Sequence, residues 1–167
     1  MPDILCGSLL AKIEEQIERT SYLASLVPVT RLEEPLMDGG SWTVSDLFHH
    51  LLDCVAGFCA VVVAVEPKRL ACHQRLQQLP AIPSIGMETF LERLQVYREC
   101  IGEAFGLWDD DDLARNIPTV FVPGGETVLT LMLGNFEHLI NHKRQLFEYL
   151  KRIGIKVGSA DLYRFRG

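Results

Sequence analysis

The 167-residue sequence predicts an all-α fold, an antiparallel four-helix bundle with long inter-helix connections. Three observations predict it. Four stretches repeat apolar residues at steps of three and four, as helices with one buried face require. Proline and glycine cluster between those stretches. No internal repeat or low-complexity tract suggests another architecture. The length suits a single domain over 1–154, followed by a C-terminal tail over 155–167.

The first helix is expected from Ile4 to Val27, with Leu9, Ile13, Ile17 and Ala24 on its apolar face. Pro28 and the Pro35, Gly39, Gly40 segment end it. The second begins after Trp42, where Thr43 and Asp46 form a capping box with Asp in the usual Glu or Gln place. It runs to Glu66, before Pro67. Its Val61-Val62-Val63 stretch also reads as strand, but the spacing from Leu47 through Cys54, Phe58 and Val65 favours helix. A connection with Pro80, Pro83 and Gly86 follows.

The third helix is expected from Glu88 to Trp108, with Phe90, Leu94, Tyr97, Ile101, Phe105 and Trp108 as its core row. Asp109 to Gly125 reads as irregular, with Val120-Phe121-Val122 extended and Pro123-Gly124-Gly125 turning. The fourth helix spans Glu126 to Ile153, with Gly154 a natural stop. The tail carries no strong pattern.

The formal net charge of −6 argues against nucleic acid, whose phosphates need a basic face. No cationic run would attract an anionic membrane, and Lys143, Arg144, Lys151 and Arg152 read as a solvated helical face. The longest uncharged apolar run, Cys54 to Val65, is twelve residues, short of the ~20 that span a bilayer. The start, Met-Pro-Asp-Ile-Leu-Cys, does not read as a signal peptide. Five cysteines (6, 54, 59, 72 and 100) without a CxxC pair indicate reduced thiols and a cytoplasmic setting. Cysteine is then a poor metal-ligand candidate, and Cys54 and Cys59 read as small core residues. No GxSxG elbow, phosphate-binding glycine loop or dinucleotide fingerprint occurs.

The histidines carry the chemistry. His138 and His142, four apart on the fourth helix, share a face at the edge of the stripe of Leu131, Leu139, Leu146 and Ile153. Alone, an HxxxH pair is weak evidence for metal. On the second helix His50 lies near the apolar stripe and His49 points away, so His50 is the third ligand candidate and His49 a surface or interface residue. His73 is expected in solvent. Asp46 and Asp53 could orient His50, although Asp46 also suits its cap; Glu137 and Asn141 point away from the shared face. The run Asp109 to Asp112 lacks the alternation of a calcium loop and reads as a solvated turn. Tyr149 reads as core or as pocket lining.

W-T-V-S-D-L-F-H-H-L from Trp42 and H-L-I-N-H-K-R-Q-L from His138 together resemble the DinB-like (DinB/YfiT-type) family of four-helix metal-binding proteins. That family has a tryptophan eight residues before a histidine, as Trp42 precedes His50. It also has an HxxxH pair followed by a basic residue and Gln, matched by His138, His142, Lys143 and Gln145. Arg144 departs from the glycine frequent there, which bears on helix packing and on a dimer contact. The resemblance implies a bundle of DinB/YfiT type, a divalent transition metal (zinc or nickel foremost) on His50, His138 and His142, and a homodimer. It also implies a small-molecule substrate, a low-molecular-weight thiol among the candidates, and thiol transfer or metal-assisted hydrolysis or isomerisation. A non-catalytic stress or ligand-binding protein with a structural or sensing metal is the alternative. A third reading has no metal, the histidines serving packing and hydrogen bonding.

Overall fold

The computed structural model describes residues 4–66, 69–82, 85–119 and 122–164. The readings of Pro67, Pro83, Val120 and Phe121, and the ends of the chain, fall outside those residues. Four long helices form the bundle: α1 (Ile4–Ser25), α2 (Val44–Val65), α4 (Met87–Phe105) and α6 (Val128–Arg152). Helix α2 packs against α6 and α4, and α1 closes the bundle against the same two. The short helices α3 (Cys72–Gln77), α5 (Asp110–Ala114) and α7 (Ser159–Leu162) lie in the connections and the tail.

Helix α2 starts where the sequence places it. The Thr43 hydroxyl accepts from the backbone N–H of Asp46, and the Asp46 carboxylate accepts from Thr43 N–H at 2.8 Å. By length and composition α2 is long and apolar enough to cross a membrane. Here Leu47, Phe48, Leu51, Val55, Phe58 and Val62 are fully enclosed in the bundle core, and Phe48 stacks on Phe90 of α4 with ring centroids 4.5 Å apart. The Val61–Val63 stretch is helical.

Helix α6 begins two residues later than predicted. Glu126 and Thr127 form strand β2 (Glu126–Thr127), antiparallel to β1 (Asn116–Ile117), and the Thr127 hydroxyl caps α6 by accepting from Thr130 N–H. The far end is a Schellman stop: Gly154 takes φ +82°, its N–H donates to Lys151, and Ile155 N–H donates to Leu150 at 2.9 Å. Helix α4 ends at Phe105, short of the predicted Trp108, but Trp108 is still buried. Tyr97, placed in the core row, is half-buried.

Three expectations are corrected. The tail has structure: α7 packs on α1, and Leu162 is buried. The acidic run is a double cap: Asp109 starts α5, and the Asp110 carboxylate accepts from the first N–H groups of α1, Leu5 and Cys6. Those bonds hold the Asp110 carboxyl below its usual range. Finally, Cys72 and Cys100 are joined as a disulfide with Cα atoms 5.3 Å apart, tying α3 to α4, so the five thiols are not all separate.

Candidate metal centre

Helices α2 and α6 bring together the three histidines singled out from sequence. Nε2 of His50 lies 3.0 Å from Nε2 of His138 and 2.9 Å from Nε2 of His142. The three rings meet edge to face, with centroids 4.2–4.9 Å apart. His138 is exposed and the other two are half-buried, so the cluster sits at the rim of the bundle.

One Nε2–H of His50 can serve only one of its two contacts, so hydrogen bonding leaves the trio incompletely matched. Two nitrogens on a common ion at ~2.0–2.1 Å lie about 3.3–3.4 Å apart in a tetrahedral shell and about 2.9 Å apart at a right angle, so 2.9 and 3.0 Å fit ligands near a right angle and are tighter than an ideal tetrahedron. Burial, then His142 and His138, holds the His50 imidazole below its ordinary pKa; the Asp53 carboxylate opposes this. The neutral, lone-pair-bearing form is therefore favoured, as metal ligation requires.

The partner of His142 is Gln145. Its side-chain oxygen accepts from His142 Nδ1–H at 2.9 Å, which leaves the Nε2 lone pair for the cluster. One turn of helix separates the two, which the HxxxH-basic-x-Gln spacing contains. Asp46 serves the helix cap, and Asp53 is exposed.

Cysteine reasoning missed Cys54. Its Sγ joins the three histidine nitrogens in a group whose ligand atoms all lie within 4.8 Å of one another, a set that could hold a metal ion. The signal was present: Cys54 follows His50 by one helical turn. Burial, assisted by Asp53, pushes its thiol up to about 12, so near neutrality it is uncharged. Cys54 and Cys59 are both buried in the core, as expected.

Trp42 roofs the cluster. Its ring meets His50 edge-on at 5.2 Å and stacks with His142 at 6.1 Å. A turn holds it there: Leu36 N–H donates to Trp42 C=O at 2.8 Å, Gly39 takes φ +73°, and Gly40 N–H donates to Met37 C=O. This turn docks on the end of α6 through Tyr149 Oη donating to Glu34, and Arg152 donating to Pro35 C=O at 2.6 Å. Burial and the Glu34 carboxylate raise the Tyr149 phenol above its ordinary pKa. Tyr149 is both core and pocket lining.

The basic face is not uniformly solvated. Lys143 is 1% exposed, its ammonium donating to the Gln16 side chain of α1 and to Leu162 C=O of the tail at 2.9 Å. Because it neighbours His142, this anchor fixes the rotation of α6 and hence the aim of the histidine. Burial lowers the Lys143 pKa to about 8. Arg144 is exposed and ion-paired with Glu148. His73 is half-buried, with no partner for its enclosed Nδ1 among the described residues. His49 is half-buried, and Glu137 and Asn141 are exposed.

The four-helix bundle is a DinB-like fold. The chain is similar to a DinB-like protein from Bacillus subtilis, YjoA, whose crystal structure superimposes with a TM-score of 0.70 at 17% identity. The match covers 94% of this chain and 99% of that one. At that identity the likeness establishes the fold. No protein-family model matches the chain, and no curated protein matches it.

Proposed function

We propose that His50, His138 and His142 hold a divalent transition metal, zinc or nickel foremost, and that the protein is a metal-dependent enzyme acting on a small molecule. The observation that carries this reading is the meeting of three Nε2 atoms at ligand spacing on a solvent-reaching rim. When bound, such an ion supplies positive charge that lowers the pKa of a thiol or water beside it and polarises an electrophile. Thiol transfer and metal-assisted hydrolysis or isomerisation both use that charge. The chain's own groups then divide the work. Gln145 holds His142 in the ligating tautomer, Lys143 fixes the helix behind it, and Trp42 covers one side against water. The reading includes a homodimer and a cytoplasmic setting, in which the Cys72–Cys100 disulfide would be an exception to the reduced state usual there.

A second reading has a specific observation in its favour. Cys54 supplies a fourth donor from the enclosed side, which would suit a closed structural or sensing site. The absorption spectrum of cobalt-substituted protein separates the two, because a thiolate ligand adds an intense charge-transfer band that Cys54→Ala would remove.

Metal content by mass spectrometry, for the tag-free protein and the His50→Ala/His138→Ala/His142→Ala variant, tests the site. Near-stoichiometric metal in the parent and none in the folded variant is expected. A panel of thiols and electrophiles then tests catalysis. Activity unchanged in His50→Ala and His142→Ala would sink the enzyme reading.

A further inference from the structure

Beside the histidines the docked turn leaves a cavity of about 500 Å³ against the last turns of α6. That volume falls in the range of small-molecule sites. Its apolar wall is built by Leu36, Met37, Trp42 and Tyr149. Its polar wall carries Arg144, Glu148 and Arg152, giving one positive charge in excess. Trp42 and Gln145 belong to this cavity and also touch His142, so the cavity adjoins the histidine cluster through those two side chains.

The two arginines differ in what they can offer. Arg144 is committed: Nε and Nη2 both donate to Glu148 Oε1, at 2.7 and 2.6 Å. Arg152 is positioned without being neutralised. Nη2 donates to the Pro35 carbonyl, and the guanidinium lies 5.3 Å from the Tyr149 ring centre. Its ion-pair partner, Asp38, is fully exposed and 3.7 Å away, a contact that solvent screens. A guanidinium fixed on a carbonyl and a ring, with donors to spare, suits a planar carboxylate.

We infer that this cavity binds a small amphipathic carboxylate, its apolar body against Trp42, Met37 and Tyr149 and its carboxylate on Arg152. Placed so, the end of the molecule near Trp42 and Gln145 faces the histidines. The inference deepens the proposed function by naming its substrate class, and as a statement about substrate it rests on that reading. Binding itself depends only on cavity residues, so it can be tested without metal.

The probes are 4-phenylbutyrate, 4-phenylbutanol and 4-phenylbutylamine, which share a body and differ in the head group. They are titrated against metal-free and zinc-loaded full-length protein while tryptophan emission is followed. Trp42 lines the cavity and Trp108 is buried elsewhere, so Trp42→Phe assigns the signal. The acid is expected to bind saturably in both forms, about tenfold or more tighter than the alcohol and the amine. Arg152→Met should reduce the acid to the affinity of the alcohol, and Arg152→Lys should restore part of the difference. Zinc stoichiometry and the circular-dichroism spectrum should not change in either variant. Equal binding of acid and alcohol, an acid preference that survives Arg152→Met in a folded protein, or no saturable binding would each overturn the inference. Loss of zinc binding with the acid preference intact would instead count against the metal reading alone.

Discussion

Nε2 of His50 stands 2.9 Å from Nε2 of His142 although 92 positions separate them in the chain. The relationship depends on two helices held at a fixed rotation, and the residues that fix it make the geometry testable.

Gln145 is the direct restraint on His142. Gln145→Leu removes the acceptor for Nδ1–H and frees both ring and tautomer. Zinc affinity should fall about 10- to 100-fold, the usual effect of losing such a partner. Competition with a chromophoric chelator measures it. Gln145→Glu, which still accepts, should stay near the parent. Equal affinities for all three proteins would remove Gln145 from the site.

Lys143 restrains α6 from the opposite side, and its burial makes stability pH-dependent. Its folded pKa of about 8 lies below the value of 10.5 for a free lysine. Between those values the unfolded chain binds more protons, so stability should rise with pH across this window and level off above it. The shift corresponds to an effect on the order of 3 kcal/mol. Urea unfolding at pH 7, 8.5 and 10 should show the parent gaining on Lys143→Met by a substantial part of that amount. Parallel pH profiles for the two proteins would show that the ammonium is not desolvated in the folded state.

These residues also show what sequence makes legible. The three histidines could be chosen because helical spacing decides which side chains share a face, and that geometry survives in the structure. Lys143 could not be placed the same way. It lies about 100° from His142 on the helix, off the apolar stripe, and is enclosed where Gln16 of α1 and the Leu162 carbonyl of the tail meet it. The tail's fold has no local signature, since Leu162 finds its neighbours on α1. Cys54 was legible as a turn-neighbour of His50, but reading cysteines by their spacing to each other hid it. Trp42 was visible as a motif residue, while its roofing position depends on the turn at Gly39 and Gly40.

Two glycines should respond oppositely to alanine. Gly125 takes φ +75° in the β1–β2 connection, and an added Cβ would lie 2.5 Å from the Ile117 carbonyl oxygen. Backbone cannot move away cheaply, so Gly125→Ala should cost about 1–3 kcal/mol. Gly134 lies on the exposed side of α6 with nothing within 4 Å of its added Cβ. Gly134→Ala should stabilise by about 0.5–1 kcal/mol through helix propensity. Thermal melts of both variants check the signs. A stabilised Gly125→Ala would mean that the hairpin adopts another backbone.

The Cys72–Cys100 bond closes a loop with a sequence separation of 28 and joins α3, which has only six residues, to the core helix α4. So short a helix has little stability alone, and the Glu103 carboxylate supports it by accepting from Cys72 N–H at 3.0 Å. Chain-entropy arguments assign such a cross-link about 3–4 kcal/mol. Iodoacetamide labelling under denaturing, non-reducing conditions should therefore spare these two cysteines, and reduction should make both reactive. Reduction should also lower the melting temperature while leaving metal stoichiometry unchanged, because neither sulfur belongs to the histidine group. Labelling of Cys72 and Cys100 in protein purified without reductant would instead mean separate thiols, and would leave α3 to the support of Glu103 and the Arg75–Glu99 ion pair.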